Sequence, residues 1–150
     1  MSQRINGYAV APEAYKAKAA LEDYFKTTAI EPSLMHLIKV RVSQINHCAY
    51  CLHMHREEAL KDGDTEKRLL LLDAWRESGL FTPRERAALA WAESVTLIST
   101  TEAPDADYEA MRFEFNEKDA VDLTFLIAQI NGWNRIAVPL RQVHPQDRAR

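Results

Sequence analysis

The two cysteines of the chain stand three residues apart, in Cys48-Ala49-Tyr50-Cys51, and His55 follows four residues after the second. On a helix these three side chains share one face, because positions three and four apart lie one above the other. A dithiol beside a possible base suits two chemistries, thiol–disulfide cycling and metal ligation. At this spacing the cysteine Cα atoms of a helix lie about 5 Å apart, so a disulfide can close with little backbone movement. A helix N-terminus stabilises a thiolate, and this acts most directly on Cys48. Cys51 lies deeper but has His55 at i+4 to accept its proton. Spacing alone leaves the order of attack open.

Two other readings compete with redox chemistry. Two buried core cysteines beside a surface histidine would be inert, yet the spacing consumes every cysteine in the chain. Zinc would need Cys48, Cys51 and His55 plus a fourth ligand from His36, His47 or His53. Structural zinc usually draws such a cysteine pair from a turn, whereas His53 points away from the Cys51–His55 face and His47 precedes the helix. The expectation is therefore a redox pair with no metal and no cofactor.

The elements that must hold these residues are helical. Four glycines in 150 residues favour helices over turn-rich sheets. Pro12 opens a helix to about Thr27, and Pro32 opens a second through Leu34, Leu37, Ile38, Arg41, Val42 and Ile45. Arg41 is the polar residue on that apolar face, either at its rim or in a buried ion pair. Asn46 is the expected N-cap of the cysteine helix, which would carry Cys48 in its first turn and stop at Gly63. A further helix spans Leu69 to Trp75. Thr82-Pro83-Arg84-Glu85 has the form of a capping box, and the helix beyond it contains Glu93, which needs a partner if buried. A short helix spans Asp105 to Arg112. Asn116 caps the last one, with Asp119 three residues on, and Pro139 ends it near Val138. The helices after Thr82 and Asn116 are apolar on most sides, which places them centrally or in a subunit interface and favours a homo-oligomer.

Composition bounds the function. The formal charge is −3, with 47% hydrophobic and 27% charged residues; that balance argues against nucleic acid as a partner. The N-terminus lacks the apolar core of a signal peptide, and the run from Val121 to Ile130 is too short to span a membrane. A cysteine pair within one helical turn is not a secreted disulfide framework. The expectation is a single cytoplasmic domain over residues 1–150, all-α, with no membrane association.

The stretch from Arg41 to His55 resembles the core motif of the AhpD-like, carboxymuconolactone decarboxylase superfamily. Phe81 to Glu93 and Ile130-Asn131-Gly132-Trp133-Asn134-Arg135-Ile136-Ala137 are similar to the same branch, and the likeness runs from about residue 13 to residue 140. It implies a bundle of about six or seven helices assembled as a dimer, trimer or hexamer. It also implies an alkylhydroperoxidase-like antioxidant oxidoreductase, with Cys51 attacking the peroxide, Cys48 resolving the disulfide and His55 in the proton relay. An external dithiol, often a lipoyl group, would regenerate the thiols. Decarboxylating members lack such a cysteine pair.

The chain departs from the hydroperoxidase pattern in two places. The relay glutamate expected twelve residues before the first cysteine is His36, which carries no fixed negative charge. Tyr50 stands where an assisting histidine is expected. His36 joins the catalytic candidates Cys51, Cys48 and His55 as a second relay member, with Tyr50, Glu93 and Arg41 as supporting residues. Glu93 offers a carboxylate to the cysteine helix, although pairing with Arg41 or Arg135 is the favoured reading. The leading function is a thiol-dependent peroxidase acting on hydrogen peroxide or organic hydroperoxides. The alternative is a non-catalytic helical oligomer that binds a small hydrophobic ligand or protein partner and carries a structural or regulatory cysteine pair.

Overall fold

The computed structural model describes residues 2–147 and is all-α, with no strand among them. Nine α-helices run in the order α1 (Gly7–Val10), α2 (Pro12–Phe25), α3 (Pro32–Ile45), α4 (Ala49–Lys61), α5 (Glu66–Leu71), α6 (Pro83–Thr96), α7 (Ile98–Thr101), α8 (Asp105–Glu114) and α9 (Glu117–Leu140). The count exceeds the expected six or seven because α1 and α7 are single turns of four residues that periodicity cannot resolve. The helix expected over Leu69–Trp75 starts earlier, at Glu66, because Thr65 caps it by accepting the Arg68 N–H at 3.2 Å, and it passes into a 3-10 turn at Leu72–Ala74. Most other elements apart from α4 begin where local chemistry placed them. Pro12 and Pro32 occupy first-turn positions, and Asn116 accepts the Asp119 N–H at 2.9 Å. Thr82 and Glu85 form both reciprocal bonds of the capping box, at 3.2 and 2.8 Å, satisfying two otherwise unpaired amides. Gly63 follows the end of α4 at φ +97°, the left-handed conformation that glycine adopts most cheaply.

The core lies between α3, α6 and α9, with α4 packed on α3. Leu37, Ile38, Leu89, Leu123, Leu126 and Ile127 are fully buried there. Helix α9 has 24 residues and so spans about 36 Å. It is not apolar all round: Val121 and Phe125 are more than half exposed, while Asp122, Gln129, Asn131 and Asn134 are buried. Pro139 does not end it early. The helix continues to Leu140 and closes with Gln142 N–H on Ala137 O at 2.9 Å. Proline in a final turn forfeits one backbone bond, whereas mid-helix it would break the run. No described helix is long and apolar enough to cross a membrane.

Candidate active site

The site begins at the reversal between α3 and α4. His47 N–H bonds to Gln44 O at 3.1 Å and Cys48 N–H to Ser43 O at 3.0 Å. This is the paired closure of a helix ended by a left-handed residue. His47 is that residue, at φ +54°. Asn46 therefore ends α3 instead of capping α4. Its side chain donates to Asn131 Oδ1 and Asn134 Oδ1, both at 2.9 Å, and Asn134 donates to Ser43 Oγ at 3.1 Å. These bonds tie the reversal to α9 and hold Asn46 at the end of α3, two residues before the position that caps α4.

Cys48 takes the capping position. Its backbone is extended and its sulfur accepts the Cys51 N–H at 3.4 Å. The start of the helix thus shifts by two residues from the expected Asn46, which puts Cys48 at the cap itself. Both cysteines are free and almost completely buried.

Each sulfur sets the other's proton affinity. The S–H donated by Cys51 lowers the Cys48 thiol below its ordinary value; burial opposes this, and the Cys51 amide and Asn134 side chain assist it. Giving up that hydrogen bond raises Cys51, as do burial and the negative charge on Cys48. The pair ionises first at Cys48, with one proton held between the sulfurs.

Cys51 faces a cavity of about 580 Å³, and Cys48 lies behind it. Its lining is partly apolar, with Phe25, Ile30, Met35, Met54 and Trp133, and partly polar, with His36, His55, Glu58, Asp62, Glu22 and Lys39. His55 lies one helical turn beyond Cys51 on the same face, and its Nδ1 is 2.7 Å from Glu58 Oε2. Burial pulls the His55 pKa down, partly countered by the Glu58 hydrogen bond. The same bond holds the Glu58 carboxyl below its usual range. A neutral His55 with its proton on Nδ1 toward Glu58 presents Nε2 as an acceptor.

His36 approaches the same carboxylate from α3. Its Nε2 lies 2.8 Å from Asp62 Oδ2, while Nδ1 is buried, without a hydrogen-bond partner, 3.9 Å from Glu58 Oε2. Also in the lining, Lys39 pairs with Glu22 at 2.9 Å. Glu22 also accepts from Trp133 Nε1 and Gln129 Nε2. Burial would raise the Glu22 carboxyl, but Lys39 and these donors together hold it low.

Of the residues singled out from sequence, Cys51, His55, His36 and Tyr50 line the cavity, with Cys48 immediately behind. Arg41 and Glu93 do not line it. They pair with each other at 2.8 Å, and Glu93 also accepts from Trp75 Nε1 at 2.8 Å and from Arg76. Arg41 in turn bonds to Asp73 and Gln44. This ion cluster joins α3 and α6 to the 3-10 turn Leu72–Ala74 and the two residues that follow it. Sequence reasoning missed Glu58, Asp62 and the Glu22–Lys39 pair. The spacing of His55 and Glu58, three apart on one helix, was the available signal for Glu58.

A profile of the carboxymuconolactone decarboxylase family matches residues 12–94. The uncharacterized protein YdfG of Bacillus subtilis is 44% identical over 140 residues, covering 93% of this chain and 95% of YdfG. A solved structure from Agrobacterium tumefaciens superposes with a TM-score of 0.93 at 45% identity, covering 96% of this chain and 99% of the other. That protein, of unknown function, is provisionally described as the antioxidant defence protein AhpD. An uncharacterized peroxidase-related protein from Ralstonia eutropha, described as an alkylhydroperoxidase AhpD core, superposes with a TM-score of 0.80 at 26% identity. The overlap with it covers 91% of this chain and 73% of the Ralstonia chain.

Proposed function

From the membership of this chain in the carboxymuconolactone decarboxylase family, in its AhpD-like branch, we propose that it is a thiol peroxidase working through a Cys48–Cys51 disulfide. The observation that carries this reading is the placement of the dithiol. One sulfur faces a cavity, the other sits behind it within hydrogen-bonding reach, and a histidine–carboxylate pair lies one turn away.

The reaction balances with these groups. The pair gives one proton to His55, whose imidazolium Glu58 holds, and the remaining proton passes along the sulfur–sulfur hydrogen bond to Cys48, leaving Cys51 as the thiolate. The Cys51 sulfur attacks the distal peroxide oxygen, the O–O bond breaks, and His55 returns the proton to the leaving oxygen as alcohol or water. Cys51 is then a sulfenic acid. The Cys48 sulfur attacks the Cys51 sulfur and expels hydroxide, which leaves as water with the proton that Cys48 carried. An external dithiol, of lipoyl type, reopens the disulfide by exchange. Peroxide is the oxidant and that dithiol the reductant; the protein works as a cytoplasmic homo-oligomer.

The test is intact-mass and free-thiol analysis of the reduced, metal-free protein after rapid quenching with substoichiometric peroxide. Two thiols should be lost per peroxide consumed, with a mass decrease of two hydrogens. Thiols that stay reduced while the protein binds an apolar ligand in the cavity would replace catalysis with the ligand-binding alternative.

The His55–Glu58 pair makes a separate prediction. In Glu58→Gln the carboxylate that stabilises protonated His55 is gone, so the His55 titration, followed by NMR of its ring protons, should move further down. The rate of the first thiol-oxidation step should fall roughly tenfold to a hundredfold, a fraction of what general acid–base catalysis commonly supplies. An unchanged rate with an unchanged titration would remove Glu58 from the relay.

A further inference from the structure

Three of the five histidines do not line the cavity, and two of these, His53 and His144, meet beside α4. His53 and Glu57 are four residues apart on that helix, with Nε2 and Oε1 3.3 Å from each other. His144, from the segment after α9, stacks on His53 with ring centroids 3.9 Å apart. Gln146 brings its Oε1 to 3.1 Å from His53 Nε2. One nitrogen thus faces two oxygen acceptors. The ligating atoms of His53, Glu57 and His144 all lie within 4.8 Å of one another.

We propose that His53, Glu57 and His144 bind a divalent transition-metal ion of the zinc, cobalt or nickel type and thereby fasten the C-terminal segment across α4. Imidazole and carboxylate donors suit such borderline ions. A histidine and an acidic residue four apart on a helix put both donors on one face, a ready-made chelate. The third donor comes from a distant part of the chain, as a staple requires.

Bonds of about 2.0–2.1 Å place tetrahedral ligands about 3.3 Å apart. The cluster must therefore contract by about 1.5 Å, within reach of side-chain rotation for residues that are all at least partly exposed. The ion takes the place of the His53 Nε2 proton, which moves to Nδ1. Gln146 is then displaced or becomes a fourth donor. Gln146 N–H reaches His144 Nδ1 at only 3.4 Å, a weak bond to exchange.

The site adjoins the cavity without using the sulfurs. His144 lies 5.6 Å from the Tyr50 ring, and Tyr50 and Gln142 both line the cavity. A bound ion would pin the segment that carries Gln142 against the rim.

The decisive measurement is zinc binding by competition with a chromophoric chelator, using the Cys48→Ser/Cys51→Ser protein so that thiolates contribute nothing. One zinc per chain should bind, and Glu57→Gln and His144→Ala should each weaken it by about tenfold or more. Cobalt in the same protein should give visible ligand-field bands without thiolate charge-transfer absorption. Circular dichroism of each variant separates lost ligation from lost folding. No stoichiometric zinc in the cysteine-free protein, or binding indifferent to both substitutions in folded variants, would overturn the proposal.

Discussion

In Cys51→Ser, peroxide should no longer consume thiol, and peroxidase turnover should vanish. Of the two sulfurs only Cys51 faces the cavity, so a peroxide entering there meets that atom first. A serine hydroxyl is too weak an acid to replace the thiolate. Cys48→Ser should behave differently, for a local reason. Serine is a favoured N-cap, and its oxygen can accept the Cys51 N–H that the Cys48 sulfur now holds. Helix α4 should therefore keep its start. With the charge and hydrogen bond of Cys48 gone, Cys51 loses two of the influences that hold its thiol up, and its titration should move down toward the ordinary range. This variant should form a sulfenic acid at Cys51, trapped by a dimedone-type reagent and seen as a mass adduct, but no intramolecular disulfide. Full peroxide consumption by Cys51→Ser, with the adduct on Cys48, would reverse the two roles.

The second large effect falls on stability. Glu93 is the common acceptor for Arg41, Arg76 and Trp75 Nε1, with only 13% of its side chain exposed. Glu93→Ala leaves Arg41 Nε and the Trp75 indole N–H without their acceptor, although Arg41 keeps Asp73 and Gln44. Removing one partner of a buried ion pair costs about 3–5 kcal/mol; with Arg76 more than half exposed, the expectation here is about 2–4 kcal/mol. Thermal unfolding should shift down by about 6–12 °C, while thiol oxidation per folded molecule stays at the wild-type rate.

The pH dependence follows from the same cluster. Burial would raise the Glu93 carboxyl, but its three donors hold it below the usual carboxylate value. A carboxylate with a depressed folded pKa contributes stability above its unfolded value, about 4.3, and that contribution is lost as pH falls through the folded value. Glu93→Gln should lack this acid-side loss. A Glu93 variant with normal stability and failed thiol chemistry would instead move Glu93 into the site.

The parts of the fold legible in the sequence were those set by neighbours in the chain. The capping box at Thr82, the Asn116–Asp119 cap, the prolines opening α2 and α3 and the stop at Gly63 each depend on a few adjacent residues, and each forms as spelled. The start of α4 was misplaced because its governing residue carries no conventional signal. His47 adopts the left-handed conformation usually given to glycine, and the partners that occupy Asn46 come from α9, almost ninety residues away. Cys51 and His55 were recognisable from their spacing along one segment, and His36 from its place in the family pattern. Glu58 was hidden among Arg56, Glu57 and Lys61, in a run that resembles a solvated helix face. Only the packing of α3 against α4 reveals which of its carboxylates turns inward. The Glu22–Lys39 pair joins two helices and left no local trace.

Every group assigned to bond making and proton movement lies within residues 36–62, on one helical hairpin. Much of the remaining lining is supplied by other segments, through Tyr8, Phe25, Trp133 and Gln142. Inheritance can therefore treat the two halves separately. Substitutions in α1, α2 and the end of α9 can change which molecules are admitted while leaving the reacting atoms undisturbed. A lineage built on this hairpin can diversify its choice of substrate by altering its walls, without reinventing its chemistry.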